Sequence, residues 1–333
     1  MPLDVLWLSD GQLTRCEPRE VPALLARNDG ILWVDVPEWS EEAERLLVDT
    51  FKFHPFALRD CKERSHIPKL RTYPDYLFVI LHAPEPGAAG QIHLLELDYF
   101  AGHRYLVTVH GPINPEVSHE LALRETRAAL RRIQQGRFFP RSPAELSHAI
   151  VSAVATRQEA LVADLTRKVA ALERRVLSGG SAATDHSFEG ALEEMFRVRH
   201  ELLTVRTMAA AGREMFARIT GIARFLPPES LPFVEDLVDQ FERVRSVCDS
   251  EKEFLQGVVD FYQSRTSVKM NVAMERLALL SAVLLPLSLV AGIYGMNIIV
   301  ERETSVTQLG WVLLSMAGVA GLMLWWARRQ GWW

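Results

Sequence analysis

The sequence predicts an α+β membrane protein with an N-terminal α/β domain, a long helical stalk and two C-terminal transmembrane helices per chain. Three observations carry that expectation. Residues 1 to about 140 alternate short apolar runs with turn signals. From about residue 142 the chain is rich in Ala, Leu, Glu and Arg, with few helix breakers. The last sixty residues hold two charge-free apolar stretches, Leu277–Met296 and Leu309–Ala327, separated by about a dozen residues. Each stretch is about twenty residues, which at roughly 1.5 Å rise per residue spans the roughly 30 Å hydrocarbon layer.

In the first region, Val5–Leu8, Ile31–Val34, Tyr76–His82, Ile92–Phe100 and Tyr105–Val109 read as strands, rich in β-branched, aromatic and leucine residues. Ala101-Gly102-His103-Arg104 reads as the hairpin turn between the last two. Ser40–Phe51 and Pro55–Arg64 read as helices, the first opened by Ser40 as N-cap with Glu41 and Glu42 in its first turn. The expectation is a mixed sheet. Ser142-Pro143-Ala144-Glu145 is a capping box with proline at the first helical position, and its helix runs to Leu177 before Ser178-Gly179-Gly180. A second helix is expected from near Ser187 to Phe225, ahead of Pro227-Pro228.

Between Pro232 and Pro286 there is no proline, and Gly257 is the only glycine. Continuous helix from Leu231 to Tyr294 would be about 95 Å long, far more than a bilayer accommodates, so its first part is read as a stalk outside the membrane. The expected organisation is an α/β domain at 1–140, antiparallel helices at 141–230, the stalk part of the long helix at 231–276, a first span at 277–296, a loop at 297–308, a second span at 309–327 and a tail at 328–333.

Orientation follows from charge. Arg265, Lys269 and Arg276 precede the first span and Arg328 and Arg329 follow the second, whereas the loop carries Glu301 and Glu303 against Arg302. The positive-inside rule therefore places both termini in the cytoplasm and the loop outside. Trp325, Trp326, Trp332 and Trp333 would form an aromatic belt at the inner interface. The net charge of −5 argues against a nucleic-acid partner. Cys16, Cys61 and Cys248 show neither a disulfide framework nor zinc-ligand spacing, and each is expected as a buried apolar thiol. No nucleotide-binding glycine loop or catalytic triad pattern is present, and Gly87-Ala88-Ala89-Gly90 reads as a surface turn, so an enzyme is not expected and no resident cofactor is implied.

Stepping through the first span by threes and fours collects Asn271, Met274, Ala278, Ser281, Leu285, Ser288, Gly292 and Gly295 on one face, bordered by Leu277. This face is smaller and more polar than the rest. It suits a helix–helix seam, and it equally suits the wall of a channel built by several copies. As a channel wall it would offer hydroxyls from Ser281 and Ser288 and rings of Met274, Leu277 and Leu285 that exclude water. Pro286 is either a local opening of the backbone or a harmless kink. Glu235, Asp236, Asp239, Glu242, Asp249, Glu251, Glu253 and Asp260 line the earlier part of the helix, as a solvated face balanced by Arg243, Arg245 and Lys252 or as metal ligands. His54, His66 and His82 read as core or surface residues rather than zinc ligands.

Tyr294-Gly295-Met296-Asn297, at the outer end of the first of two terminal spans, resembles the signature of the CorA-type divalent metal ion transporters. Phe53-His54-Pro55-Phe56-Ala57-Leu58-Arg59-Asp60-Cys61 and Pro68–Phe78 resemble upstream stretches of the same family. The resemblance implies a homo-oligomer, a pentamer in that family, in a bacterial inner membrane, with lipid and divalent metal ions as its other partners. The first span would line the pore, and Gly295, Met296 and Asn297 would form its outer mouth. A neutral amide ring at Asn297 suits an ion that keeps its water, as Mg²⁺ does. Glu301 and Glu303 would concentrate cations there. The segment Ile298–Thr304 lacks the Met-Pro-Glu-Leu of magnesium-transporting members, which brings the chain nearer the zinc-transporting branch and leaves Mg²⁺ and Zn²⁺ level, with Co²⁺ or Ni²⁺ beside them. Asp236 is the first candidate for a regulatory metal site, by resemblance to magnesium-gated members. The reading from a different class is a membrane-anchored sensor or scaffold without transport.

Overall fold

The computed structural model of the chain describes residues 3–65, 67–87, 90–112, 114–178, 185–222, 227–295 and 306–329. It divides into two units, Met1–Gly257 and Val258–Trp333.

The first unit opens with a seven-stranded mixed sheet: β1 (Asp4–Ser9), β2 (Gln12–Cys16), β3 (Ile31–Val36), β4 (Lys69–Thr72), β5 (Tyr76–Pro86), β6 (Ile92–Gly102) and β7 (Tyr105–His110), in the order β2-β1-β3-β7-β6-β5-β4. Only β3 and β7 run parallel among these pairs. All five expected strands form. The two edge strands β2 and β4 were not foreseen, because QLTRC and KLRT have no buried residue and carry no apolar alternation to reveal them. Gly102 closes the β6–β7 hairpin, where an added Cβ would sit 2.4 Å from the Tyr105 ring.

Helices α1 (Val21–Leu25), α2 (Glu41–Arg45) and α3 (Pro55–Lys62) cover one face of the sheet. Ser40 caps α2, its Oγ accepting from the Ala43 amide at 3.1 Å, and a π-helical turn at Leu46–Thr50 continues it to the expected end. The core on this face gathers Val34, Val107, Phe78 and Phe100 from the strands with Leu47, Phe53 and Ala57 from above. The opposite face receives α4 (His119–Ala122), α5 (Arg124–Gln134) and α6 (Pro143–Ser178), the last of which packs on β5, β6 and β7. The short helices α1 and α4, and the basic helix α5, were not expected.

The two upstream stretches that carry the resemblance clasp each other. Phe53 stacks on Phe100 with centroids 3.9 Å apart and packs on Tyr76 at 4.8 Å. His54 caps α3, its Nδ1 accepting from the Phe56 amide, and its own amide donates to the Tyr76 hydroxyl at 2.9 Å. Asp60 pairs with Lys69 at 3.1 Å and Arg71 at 2.7 Å, which ties α3 to the edge strand β4. Cys61 and Cys248 are buried, as expected for both, whereas Cys16 is partly exposed because it ends an edge strand.

The capping box at Ser142 forms one residue wider than expected: Ser142 Oγ accepts from Glu145 N at 3.1 Å, and Glu145 reaches back to the amide of Arg141 at 2.8 Å. Helix α7 (Asp185–Ile222) packs along α6, and α8 (Leu231–Gly295) begins where the long helix was expected. Phe216 of α7 stacks against Phe241 of α8 at 5.8 Å, a ring that also lies 3.0 Å from where a Cβ on Gly212 would stand. The second unit holds the end of α8 and α9 (Val306–Arg329).

Under α3 the sheet buries acids. Asp98 is fully buried against the Cys61 thiol, and Glu96 beside it is 6 % exposed. Glu96 accepts from the Ser65 amide at 2.6 Å and lies 3.8 Å from His82. Burial, reinforced by Glu96, pushes the Asp98 carboxyl well up, and burial raises Glu96 to about 7 against the pull of the Ser65 amide, Arg64 and Lys69. Both groups therefore favour their neutral forms in the folded state. Because its folded pKa lies above the unfolded one, the stabilising share of Glu96 is full below about pH 4 and is lost as pH rises through about 7, and Asp98 works in the same direction. The melting temperature of the α/β domain should fall between pH 5 and pH 8. Glu96→Gln should flatten that slope, removing up to about 3 kcal/mol of pH dependence.

Candidate functional site

Helix α8 is unbroken for 65 residues, with Pro286 inside it. Leucine and valine are its commonest residues, and β-branched residues do not stop it once the surroundings are apolar. The most apolar eighteen-residue stretch of α8, and that of α9, contains no buried residue. Two such helices exposed to water would be insoluble, whereas hydrocarbon accepts them because each helix pairs its own amides and carbonyls.

Within the second unit the shielding of α8 is one-sided. Leu279, Val283, Pro286, Leu287 and Val290 are partly covered. Along α9 the partly or fully covered residues are Val312, Met316, Ala320, Met323 and Ala327, again a single stripe at three- and four-residue steps. The face read from sequence as seam or channel wall lies on the other side of α8. Asn271, Met274, Leu277, Ser281, Leu285 and Ser288 are all exposed, Leu277 at 64 % and Leu285 at 70 %. These residues share about a third of the helix circumference. All six residues read from sequence as lining are on this exposed side. Gly295 is the last residue of α8; Met296, Asn297, Glu301 and Glu303 lie outside the described residues. Trp325 and Trp326 are exposed near the end of α9, and Trp332 and Trp333 lie outside the described residues.

Asp236, on the part of α8 in the first unit, is built into a link between helices. Its Oδ2 lies 2.7 Å from His148 Nε2 of α6 and accepts from Gln240 Nε2 at 2.6 Å, and Gln240 also reaches Ser152 Oγ at 3.0 Å. The His148 hydrogen bond, helped by Gln240, holds the Asp236 carboxyl below its ordinary range. Asp249 pairs with Arg206 of α7 at 2.6 Å, and Glu242 pairs with Arg213 of α7 at 2.9 Å and with Arg245 at 2.5 Å. Arg243 reaches across to Glu159 of α6 at 4.0 Å, so the balancing charge comes from neighbouring helices as well as from α8 itself. Sequence reasoning missed His148, Arg206 and Arg213, because pairing between helices depends on a register that no local pattern encodes. His82 is buried in the sheet with its Nε2 2.6 Å from the Ser65 carbonyl, while His66 lies outside the described residues. Among the described residues no three His, Cys, Asp or Glu side chains converge to hold a metal ion.

A model of the family described as CorA-like Mg²⁺ transporter protein matches residues 28–329. The chain belongs to the CorA family. It is 27 % identical over 306 residues to YfjQ of Bacillus subtilis (strain 168), named as a metal ion transporter, covering 90 % of this chain and 89 % of that one. It is 22 % identical to the cobalt/magnesium transport protein CorA of Thermotoga maritima over 85 % of this chain and 77 % of that protein. The fold of this CorA-family chain superposes on the complete structure of the CorA magnesium transporter from Methanocaldococcus jannaschii with a TM-score of 0.80 at 17 % identity, covering 100 % of this chain and 99 % of that one. The ZntB cytoplasmic domain from Vibrio parahaemolyticus gives 0.60 at 9 % identity over 80 % of this chain and 98 % of that one. Family membership identifies a divalent metal ion transporter, and α8 and α9 make it a membrane protein.

Cysteines placed at Ser281 and Ser288 in a background lacking the three native thiols should react with a water-soluble thiol reagent in membranes, and cysteines at Val283 and Val290 should resist it. Equal labelling of both sets would show that water reaches the stripe no better than the opposite face. Asp236→Asn should lower stability by less than about 1 kcal/mol for so exposed a pair, read as a small drop in melting temperature. The effect should be greatest near neutral pH and vanish as acid titrates the aspartate, because a lowered carboxyl pKa contributes stability only above its folded value.

Proposed function

We propose that this CorA-family transporter works as a homo-oligomer, pentameric as in the family resemblance, whose first spans surround an axial path for divalent cations. The single observation that carries this reading is the uncovered stripe from Asn271 to Ser288, on the side of α8 opposite the partly covered Leu279, Val283, Pro286, Leu287 and Val290. Two spans from one chain enclose no path, so walls must come from further copies. In that arrangement Ser281 and Ser288 offer hydroxyls to a hydrated ion, and Met274, Leu277 and Leu285 make narrow apolar rings that admit water only when they separate. Gly295, Met296 and Asn297 would form the outer mouth, with Glu301 and Glu303 gathering cations at it. Both termini lie in the cytoplasm, as the flanking arginines favour, and the membrane is a bacterial inner membrane, as the resemblance implies.

The cargo we propose is Mg²⁺ or Zn²⁺, with Co²⁺ and Ni²⁺ in the same class. A ring of neutral amides at Asn297 favours Mg²⁺, which dehydrates reluctantly. The names of the Thermotoga maritima and Methanocaldococcus jannaschii relatives support magnesium and cobalt. The missing Met-Pro-Glu-Leu keeps Zn²⁺ beside them.

Purified protein in liposomes loaded with metal-sensitive dyes tests the reading. Wild-type protein should pass Mg²⁺ or Zn²⁺, and Asn297→Ala should cut the flux at least about tenfold, the cost of losing a polar contact to the hydrated ion in a dry site. Absence of flux for all four ions would return the chain to a membrane-anchored sensor. Unchanged flux in the variant would remove Asn297 from the path, and acceleration of Zn²⁺ entry by an inward proton gradient would mark coupled transport.

A further inference from the structure

The face of the sheet turned toward α5 holds a cavity of about 250 Å³ that metal transport does not use. Its walls include Trp33, Leu123 and Leu130. At its floor stands Asp35, 7 % exposed. The carboxylate is fixed: Oδ1 accepts from the Thr108 hydroxyl at 2.5 Å and lies 3.1 Å from His110 Nε2, while Thr108 itself accepts from the Trp33 indole N–H at 3.1 Å. Thr126 of α5 completes the chain, its hydroxyl 3.2 Å from His110 Nε2. Both anchors hold the same oxygen, and Asp35 Oδ2 has no partner among the described residues. Oδ2 is the oxygen left accessible, so a donor on a guest can reach it.

The mouth has the opposite character. Arg15 and Arg127 line it with side chains 62 % and 43 % exposed. Their acidic neighbours are held loosely, Arg15 at 3.8 Å from Asp4 and Arg127 at 3.9 Å from Glu120, so each guanidinium keeps donors free for a guest. The lining carries two carboxylates, Asp4 and Asp35, and two guanidiniums, with the fixed acid deep and the bases outside. A guest that satisfies this arrangement is neutral overall but has separated charges. It places a donor-rich cation against Asp35, an anion at the mouth and an apolar body between them against Trp33, Leu123 and Leu130. The lining is half polar and half apolar, with its charged groups at fixed places, and its volume suits a guest of few heavy atoms.

We infer that this cavity is a binding site for a small zwitterion with an apolar side chain, of the α-amino-acid class, whose ammonium group meets Asp35 and whose carboxylate meets Arg127. The site lies within the first unit and stands independently of the ion path.

Full-length protein in detergent, titrated calorimetrically with leucine, 3-methylbutylamine and 4-methylpentanoate, tests it. The amine and the acid are leucine without its carboxylate and without its ammonium group. Leucine should bind with a dissociation constant below about 10 mM, as its few heavy atoms allow, and each fragment at least about tenfold more weakly. Arg127→Gln, a surface change that leaves the sheet untouched, should weaken leucine about tenfold and leave 3-methylbutylamine unchanged. Asp35→Asn should weaken leucine and the amine together. If Asp35→Asn fails to fold, the Arg127→Gln comparison of leucine with the amine decides alone. Absence of leucine binding at about 10 mM, or an Arg127→Gln variant that binds leucine like the wild type, would overturn the proposal.

Discussion

A backbone amide or carbonyl has no partner in hydrocarbon, and that constraint shapes the end of this chain. Only a helix that closes every hydrogen bond within itself can cross, which is why α8 stays helical through Pro286 and why α9 follows without irregular structure among its described residues. The same constraint makes the apolar exposure of both spans tolerable, because lipid replaces the core that a soluble helix would need. It also makes the polar fraction of one face conspicuous. Serines and an asparagine aligned on an exposed side of α8 call for a polar neighbour, and the partly covered residues lie on the other side.

Metal transport of the kind proposed thus rests on which side of α8 is covered rather than on any ligand set. The acids earlier in α8 illustrate the contrast. Asp236, Glu242 and Asp249 each meet a cationic or histidine partner from α6 or α7, and such links hold helices in register. Individually these pairs are weak in water, since solvent screening offsets most of their attraction. An aspartate engaged by His148 and Gln240 would have to give up those bonds to hold an ion.

The α/β unit follows a different economy, in which polar groups are buried inside an apolar sheet sandwich. Asp98 and Glu96 are tolerated because protonation removes the charge that burial penalises. Asp35 is tolerated because Thr108 and His110 hold it. Asp60 is tolerated because Lys69 and Arg71 come to it from β4. The stretch Phe53–Cys61 thereby gains a structural meaning: an aromatic anchor, a histidine cap, a proline at the first helical position and an acid that pins the edge of the sheet.

The sequence by itself determined the strongly patterned elements: five strands, the capped start of α6, the unbroken course of α8, the two spans and the stripe on the first. Each of these is written locally, in periodicity, in glycine and proline punctuation, or in apolar length. Tertiary structure alone decided the edge strands β2 and β4, whose polar residues pair through backbone bonds that any side chain permits. It alone decided the meeting of His148 with Asp236 and of Arg206 with Asp249, the burial of Asp98 and the partly open Cys16. These depend on which surfaces approach one another across long stretches of chain, and a pattern with a period of two or 3.6 residues carries no record of that.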